Sequence, residues 1–218
     1  MVEARKEMSN KDIDSLHVQF KPGNSKTGRS CYTVSLLPVI DCSHNCTYCK
    51  FGCYDLRNDL FRDSVLECRC INSLIHQHDQ KRYWSEIDTQ IKANCAELLR
   101  INVGGDLNDA DFEYVARLGR KNKKTQIMFF TKNYKGINHF LDHHRFPKNV
   151  HPIMSAWEGL QMDNPHHLPE SHVLYKDGNT TAPEYGAYYC GGNCTECHFN
   201  SEGCWNLKKN EHVIFNAH

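Results

Sequence analysis

Two short segments that each hold four cysteines limit the fold of this chain more than any other feature. The first segment contains Cys42, Cys46, Cys49 and Cys53, and the second contains Cys190, Cys194, Cys197 and Cys204. Such close spacing lets one loop wrap around a metal centre, and thiolates are preferred ligands of iron–sulfur clusters and of zinc. The sequence therefore predicts two metal-binding segments.

The redox state of the cysteines follows from the compartment that the sequence indicates. The first twenty residues are charged throughout and lack the apolar stretch of a signal peptide. No segment reaches the roughly 18 consecutive apolar residues of a membrane-spanning helix. We therefore expect a cytoplasmic protein with no membrane partner, whose twelve cysteines stay reduced and bind metal. The alternative is an extracellular disulfide framework, although this chain is longer than such scaffolds usually are.

Apolar runs that alternate with helical patterns predict an α/β fold. Strands are predicted over 32–40, 100–103, 126–131, 150–157 and 212–216, and helices over 83–99, 109–122 and 136–143. The continuous apolar run 126–131 is typical of a strand buried on both faces. Because strand–helix–strand crossovers are right-handed, the pattern predicts a parallel sheet or partial (β/α) barrel with a Cys-rich C-terminal extension. In the helix predicted over 83–99, Cys95 shares the apolar face and is expected in the core.

The chain is predicted to divide into three parts. Residues 1–30 form an N-terminal extension, residues 31–175 form the partial barrel with the first cysteine segment, and residues 176–218 form a Cys-rich segment with the second. Prolines and an irregular stretch before residue 176 support this boundary.

A candidate site lies where several predicted strands end. Ligands in parallel α/β folds bind at the carboxyl ends of the strands. The first cysteine segment follows the first predicted strand, and later strands end in short polar or glycine-containing turns. We expect these ends to converge and to supply the cofactor-binding residues Gly104, Gly105, Asp106, Thr131 and Ser155.

The first cysteine segment favours a 4Fe-4S cluster over zinc, because structural zinc usually takes paired cysteines from two separated segments. Cys42, Cys46 and Cys49, with Tyr48 before the third cysteine, resemble the C-x3-C-x-aromatic-C signature of the radical S-adenosylmethionine superfamily. The turn at Gly104 resembles the glycine-rich turn of that superfamily, although Asp106 and Leu107 replace its usual glutamate and proline. The resemblance implies a barrel enzyme that binds a cluster and S-adenosylmethionine.

In that superfamily three cysteines hold three irons, and the fourth iron binds the amino and carboxylate groups of S-adenosylmethionine. One electron, from a reductant such as ferredoxin or flavodoxin, then gives a 5′-deoxyadenosyl radical. The substrate is not predicted. The alternative is a non-catalytic iron–sulfur protein for electron transfer, redox sensing or nucleic-acid association, in which Cys53 takes the fourth iron and closes the cluster.

The chain from residue 24 onward also resembles the phage-associated gene-product-88 family, which implies no particular activity. The matching segments are Asn24-Ser25-Lys26-Thr27-Gly28, the Cys46-x2-Cys49-x3-Cys53-Tyr54 run, Gly104-Gly105-Asp106, Phe130-Thr131-Lys132, Ser155-Ala156-Trp157 and the C-terminal cysteine block.

The second cysteine segment has the spacing C-x3-C-x2-C-x6-C, with glycines that permit tight turns around a metal. A second 4Fe-4S cluster fits this spacing, and zinc is the alternative, with His198 in place of one thiolate. In radical enzymes of similar arrangement such a cluster relays electrons or binds substrate, while a purely structural role is equally compatible with the sequence.

Charge gives little support for a nucleic-acid partner. The net charge is zero, which argues against a general polyanion binder. The densest basic run consists of Arg117, Arg120, Lys121, Lys123 and Lys124. It either contacts phosphates or, as we prefer, forms the solvated end of a helix.

Overall fold

The computed structural model contains a seven-stranded sheet in which every pairing between named strands is parallel. It describes residues 10–25, 27–42, 53, 55–56, 62–157, 159–183 and 186–217. The strands are β1 Cys31–Val34, β2 Leu98–Ile101, β3 Gln126–Thr131, β4 Val150–Ser155, β5 Glu170–Leu174, β6 Ala187–Tyr189 and β7 His212–Asn216. Their order is β1-β2-β3-β4-β5-β7-β6, and the sheet is not closed. The predicted α/β class with a parallel sheet is confirmed.

Helices connect the first four strands. The described helices are α1 Asn10–Ser15, α2 Asp63–His78, α3 Gln80–Ala93, α4 Asp111–Lys121, α5 Tyr134–His143 and α6 Cys194–Phe199, with a 3-10 helix over Gly203–Trp205. Some of these helices have N-cap side chains. Asp79 accepts a hydrogen bond from the Arg82 amide at the start of α3, and Asn133 accepts one from the Gly136 amide at the start of α5. None of the helices described is long and apolar enough to cross a membrane.

The two faces of the sheet are covered by different parts of the chain. Side chains such as Leu99 and Phe129 enter the main core beneath the helices. Their neighbours Leu98 and Met128 lie in a second buried cluster with Trp205, against which the C-terminal cysteines pack. Successive side chains of a strand point to opposite faces, so the Cys-rich segment covers the face opposite the main core.

The C-terminal segment is part of the same sheet. β7 pairs with β5, and β6 pairs with the outer edge of β7. The segment also reaches the start of β1, because the Thr195 amide donates a hydrogen bond to the Thr27 carbonyl over 3.1 Å. The first and last parts of the chain are therefore in direct contact.

Two predicted elements end about six residues earlier than the sequence indicated. The first strand stops at Val34 rather than at residue 40, and the turn that follows is held by a 2.9 Å hydrogen bond from the Leu37 amide to the Asp41 carboxylate. The helix predicted over 83–99 stops at Ala93. Cys95 is exposed, with a left-handed φ of 48°, because the chain turns there to enter β2. The prediction that Cys95 lies in the core was wrong.

Candidate metal centres

The loops that follow β1, β2 and β3 meet at one end of the sheet. The Leu36 amide donates to the Gly104 carbonyl over 3.0 Å, and the Asp106 amide donates to the Asp41 carbonyl over 3.2 Å. The Asp106 carboxylate in turn accepts a 2.7 Å hydrogen bond from the Lys132 amide after β3. This end of the sheet, which we call the strand-end centre, includes Cys42 and Cys53.

The electrostatic surroundings of Cys42 identify its neighbours. Burial, together with the charges of Asp106 and Cys53, raises the pKa of Cys42 to about 12. The ammonium of Lys132 opposes this effect. Cys42 therefore lies within electrostatic range of Cys53, of the turn after β2 and of the residue after β3. Cys46 and Cys49, the other two predicted ligands, lie outside the described residues.

Asp106 holds the strand ends together. Its carboxylate accepts 2.7 Å hydrogen bonds from the amides of Leu107 and Lys132 and a further one from the Thr131 side chain. Burial raises the pKa of Asp106 above its usual value, and these hydrogen bonds offset part of that effect. Through these hydrogen bonds Asp106 ties the turn after β2 to the end of β3.

The two glycines of the turn after β2 are needed for packing inside the protein. Gly105 has a left-handed φ of 78°, and a Cβ atom there would lie 2.7 Å from the Cβ of Leu36. A Cβ atom on Gly104 would lie 2.1 Å from Oδ2 of Asp55, which forms a buried ion pair with Arg69 at 2.8 Å. The turn is thus enclosed by the loop after β1 and by this ion pair.

Thr131 and Ser155 occupy different positions. Thr131 is buried, and its Oγ1 accepts a 2.9 Å hydrogen bond from the Asn133 amide. The Ser155 carbonyl accepts a hydrogen bond from the Tyr134 hydroxyl, and its own hydroxyl accepts one from Ser171 at 3.3 Å. These contacts direct Ser155 towards β5. Its neighbour beyond β4, Trp157, instead approaches the strand-end centre, because its ring lies 4.6 Å beneath Nζ of Lys132.

The four C-terminal cysteines lie in the segment that covers the face of the sheet opposite the main core, and we call this group the C-terminal centre. Cys190 follows β6, Cys194 and Cys197 lie in α6, and Cys204 lies in the 3-10 helix. Burial raises the pKa of Cys204, and the charges of the other three cysteines add to this effect. The other three cysteines of the second segment therefore lie within electrostatic range of Cys204.

Two further residues of the C-terminal centre were missed by the sequence analysis. Cys31, fully buried at the start of β1, is hydrogen-bonded to Cys194, and this contact raises the pKa of Cys31. The same hydrogen bond and the positive charge of Arg100 lower the pKa of Cys194 to about 6. Nη1 of Arg100 lies 3.9 Å from Sγ of Cys194, and its guanidinium stacks 5.0 Å from the Phe130 ring centre.

A sequence signal for this pair exists but is weak. Strand pairing places Cys31 opposite Leu98 and Thr33 opposite Arg100, so Cys31 and Arg100 lie on the same face of adjacent strands by two-residue alternation. That signal becomes informative only once β1 and β2 are known to be neighbours.

Aromatic residues fix the C-terminal centre to the sheet. Nε1 of Trp205 donates a 2.8 Å hydrogen bond to the Cys194 carbonyl, and its ring contacts His151 and His198. The Tyr188 hydroxyl lies 3.4 Å from Sγ of Cys197. His198, the alternative zinc ligand, has its ring centre 5.9 Å from the ring centre of Trp205.

The family model for gene product 88 matches residues 6–211 and so spans both cysteine segments. The chain belongs to the gene product 88 family. This confirms the resemblance found in the sequence. No curated protein and no solved structure matches the chain.

The donor chemistry of this gene product 88 member fits thiolate-bound metal at the C-terminal centre. Within the ranges given above, no three or more His, Cys, Asp or Glu side chains are arranged to hold one metal ion. The fit therefore depends on the grouping of five thiols beside the cation of Arg100 and not on a preformed cage. Soft thiolates select iron–sulfur clusters or zinc, and a nearby positive charge stabilises the negative charge of such a centre.

Proposed function

We propose that this chain is an iron–sulfur protein and that its strand-end centre is a radical S-adenosylmethionine-like enzyme site. The observation that carries the proposal is the convergence of three strand ends beside Cys42: the Asp106 amide donates to the carbonyl of Asp41, the residue before Cys42, and the Asp106 carboxylate accepts from the Lys132 amide. The proposal is supported by sequential parallel strands with a cysteine loop after the first and a glycine turn after the second, an arrangement that the superfamily resemblance implies.

The residues at the strand ends would have distinct roles. Cys42, Cys46 and Cys49 would hold a 4Fe-4S cluster, which when bound supplies the electron for cleaving S-adenosylmethionine. The Lys132 side chain would lie near Cys42, with its Nζ over the Trp157 ring, where it can offset thiolate charge or bind a carboxylate of the ligand. Asp106 orients the Lys132 backbone and so positions that side chain. A reductant such as ferredoxin or flavodoxin would deliver the electron.

A second candidate function is favoured by the position of Cys53. The charge of Cys53 contributes to the raised pKa of Cys42, so both thiols lie at the same centre. With Cys53 as fourth ligand the cluster has no open position, and a closed cluster transfers electrons or senses redox state instead of activating a ligand. Close packing at the two glycines and the hydrogen bonds that the Asp106 carboxylate accepts within the protein support this candidate as well, because both give these residues a role without a ligand.

Cleavage of S-adenosylmethionine separates the two candidates. Protein reconstituted with iron and sulfide without oxygen, then reduced with dithionite, is assayed for 5′-deoxyadenosine. An open site predicts cleavage that Cys42→Ala abolishes and Cys53→Ala retains. A closed site predicts no cleavage by the fully loaded protein and an altered electron paramagnetic resonance spectrum for Cys53→Ala, because a ligand has been lost.

The matched control is Cys95→Ser, which replaces an exposed thiol outside both centres. This variant should keep the iron content and the spectrum of the parent protein. Iron-free protein after reconstitution would contradict both candidates.

A further inference from the structure

We propose that Cys31, at the start of β1, is a metal ligand of the C-terminal centre together with Cys194, Cys197 and Cys204, and that Cys190 stands outside the ligand set. The inference rests on the proposal that this chain is an iron–sulfur protein, and on the chemical fit of thiolate-bound metal at the C-terminal centre. Five thiols lie at or beside this centre, whereas a tetrahedral ion or a 4Fe-4S cluster takes four.

The burial of Cys31 and its contact with Cys194 support a role as a ligand. Its side chain has 0% exposure, lies in the same buried cluster as Leu98, Met128 and Trp205, and is hydrogen-bonded to Cys194. An apolar residue would fill this position equally well for packing alone. A thiol that points at another thiol inside a buried face is instead a ready ligand pair.

The same buried cluster distinguishes the C-terminal cysteines from one another. Cys194, Cys197 and Cys204 pack against it with Cys31, and Cys190 is not among the side chains that do so. Cys190 continues β6 through a 2.9 Å hydrogen bond from its amide to the Ile214 carbonyl. It follows Tyr189, which is 63% exposed, and precedes Gly191, around which there is open space.

Charge also favours a centre seated against the sheet. Several thiolates in a buried position need a compensating cation, since uncompensated buried charge is costly. Arg100 supplies one from β2, 3.9 Å from Cys194, and its charge acts on Cys31, Cys190 and Cys204 as well. Because Arg100 and Cys31 lie on the same face of adjacent strands, the cation and the proposed ligand are presented together.

The consequence is a metal centre that joins the two ends of the fold. Cys31 begins β1 at one edge of the sheet, and the segment with the other ligands connects β6 to β7, the two strands at the opposite edge. Direct contacts already link these parts, because the amide and the hydroxyl of Thr195 each donate a 3.1 Å hydrogen bond to the Thr27 carbonyl. Metal at this place would stabilise both ends at once.

The test isolates the C-terminal centre in a Cys42→Ala, Cys53→Ala background of the full chain. The background protein and its Cys31→Ser, Cys190→Ser, Cys194→Ser and Cys95→Ser versions are loaded without oxygen, either with iron and sulfide or with Co²⁺ as a probe. Bound metal is measured, and X-ray absorption counts the sulfur ligands of Co²⁺. Circular dichroism checks that each variant is folded.

We expect Cys190→Ser and Cys95→Ser to keep four sulfur ligands and the full metal content. Cys31→Ser and Cys194→Ser should each lose about one sulfur ligand in four and most of the iron. Four sulfurs in Cys190→Ser would support the inference even if Cys31→Ser failed to fold, because Cys190 is not part of the buried cluster.

The inference is overturned if Cys190→Ser loses a sulfur ligand while folded Cys31→Ser keeps four. It is also overturned if the background protein binds neither iron nor Co²⁺, a result that removes the metal from this centre. Neither result affects S-adenosylmethionine cleavage at the strand-end centre, which is measured separately on protein with Cys42 and Cys53 intact.

Discussion

Gly105→Ala should destabilise the protein through the turn after β2, whatever the strand-end centre binds. Alanine at a φ of 78° costs about 1–2 kcal/mol relative to glycine. Its methyl group would lie 2.7 Å from the Cβ of Leu36, and crowding of this kind costs about 1–3 kcal/mol. The lower entropy of the unfolded chain offsets about 0.4–1 kcal/mol. We expect a net loss of about 1–5 kcal/mol in the free energy of unfolding.

Urea unfolding followed by circular dichroism measures this change, with Gly191→Ala as the matched control. Gly191 has open space around its Cβ position and no left-handed φ, so alanine there should leave the midpoint nearly unchanged. Equal midpoints for the two variants would refute the packing argument. If a stable Gly105→Ala protein instead lost S-adenosylmethionine binding, Gly105 would serve the ligand and not the packing of the turn.

Two further changes test other parts of the fold. Arg69→Met leaves the carboxylate of Asp55 buried without its ion-pair partner, which should lower the free energy of unfolding by about 3–5 kcal/mol. Adding Asp55→Asn removes the unpaired charge, so part of this stability should return. An unchanged urea midpoint for Arg69→Met would contradict a stabilising role of the ion pair. Hydrogen bonds from His172 and Asn164 lower the pKa of Glu170, so its contribution to stability is present above the ordinary value of 4.5 and is lost as pH falls below it. Glu170→Gln should therefore lose less stability on acidification than the parent, and parallel pH profiles would refute this.

The regular elements were predictable where local pattern and tertiary environment agree. The strands over 126–131 and 212–216 were predicted at their observed bounds, because each is a short apolar run with no competing helical pattern. The helix over 83–99 was predicted too long, since its apolar spacing continues through Leu98 although the chain turns at Cys95. Helical and strand patterns overlap over such short stretches, and only the pairing of β2 with β1 and β3 decides between them.

The strand-end centre was predictable in outline. Parallel strands present their carboxyl ends together, so Cys42, Asp106 and Lys132 could be expected to converge. The roles of the residues there were not predictable. Asp106 and the glycines look like ligand-binding groups in the sequence, and the fold adds a packing role: the Asp106 carboxylate accepts from the Lys132 amide, and the glycines leave room for Leu36 and Asp55.

The sequence by itself determined the chemistry available to this protein: two groups of four thiols and a parallel α/β scaffold, because spacing and periodicity are local properties of the chain. The tertiary structure decided which groups are neighbours. It set Cys31 and Arg100 against the C-terminal cysteines and brought β7 and β6 beside β5. Contacts between residues so far apart in the chain depend on strand order and on which face of the sheet each side chain occupies, and neither is written in any short segment.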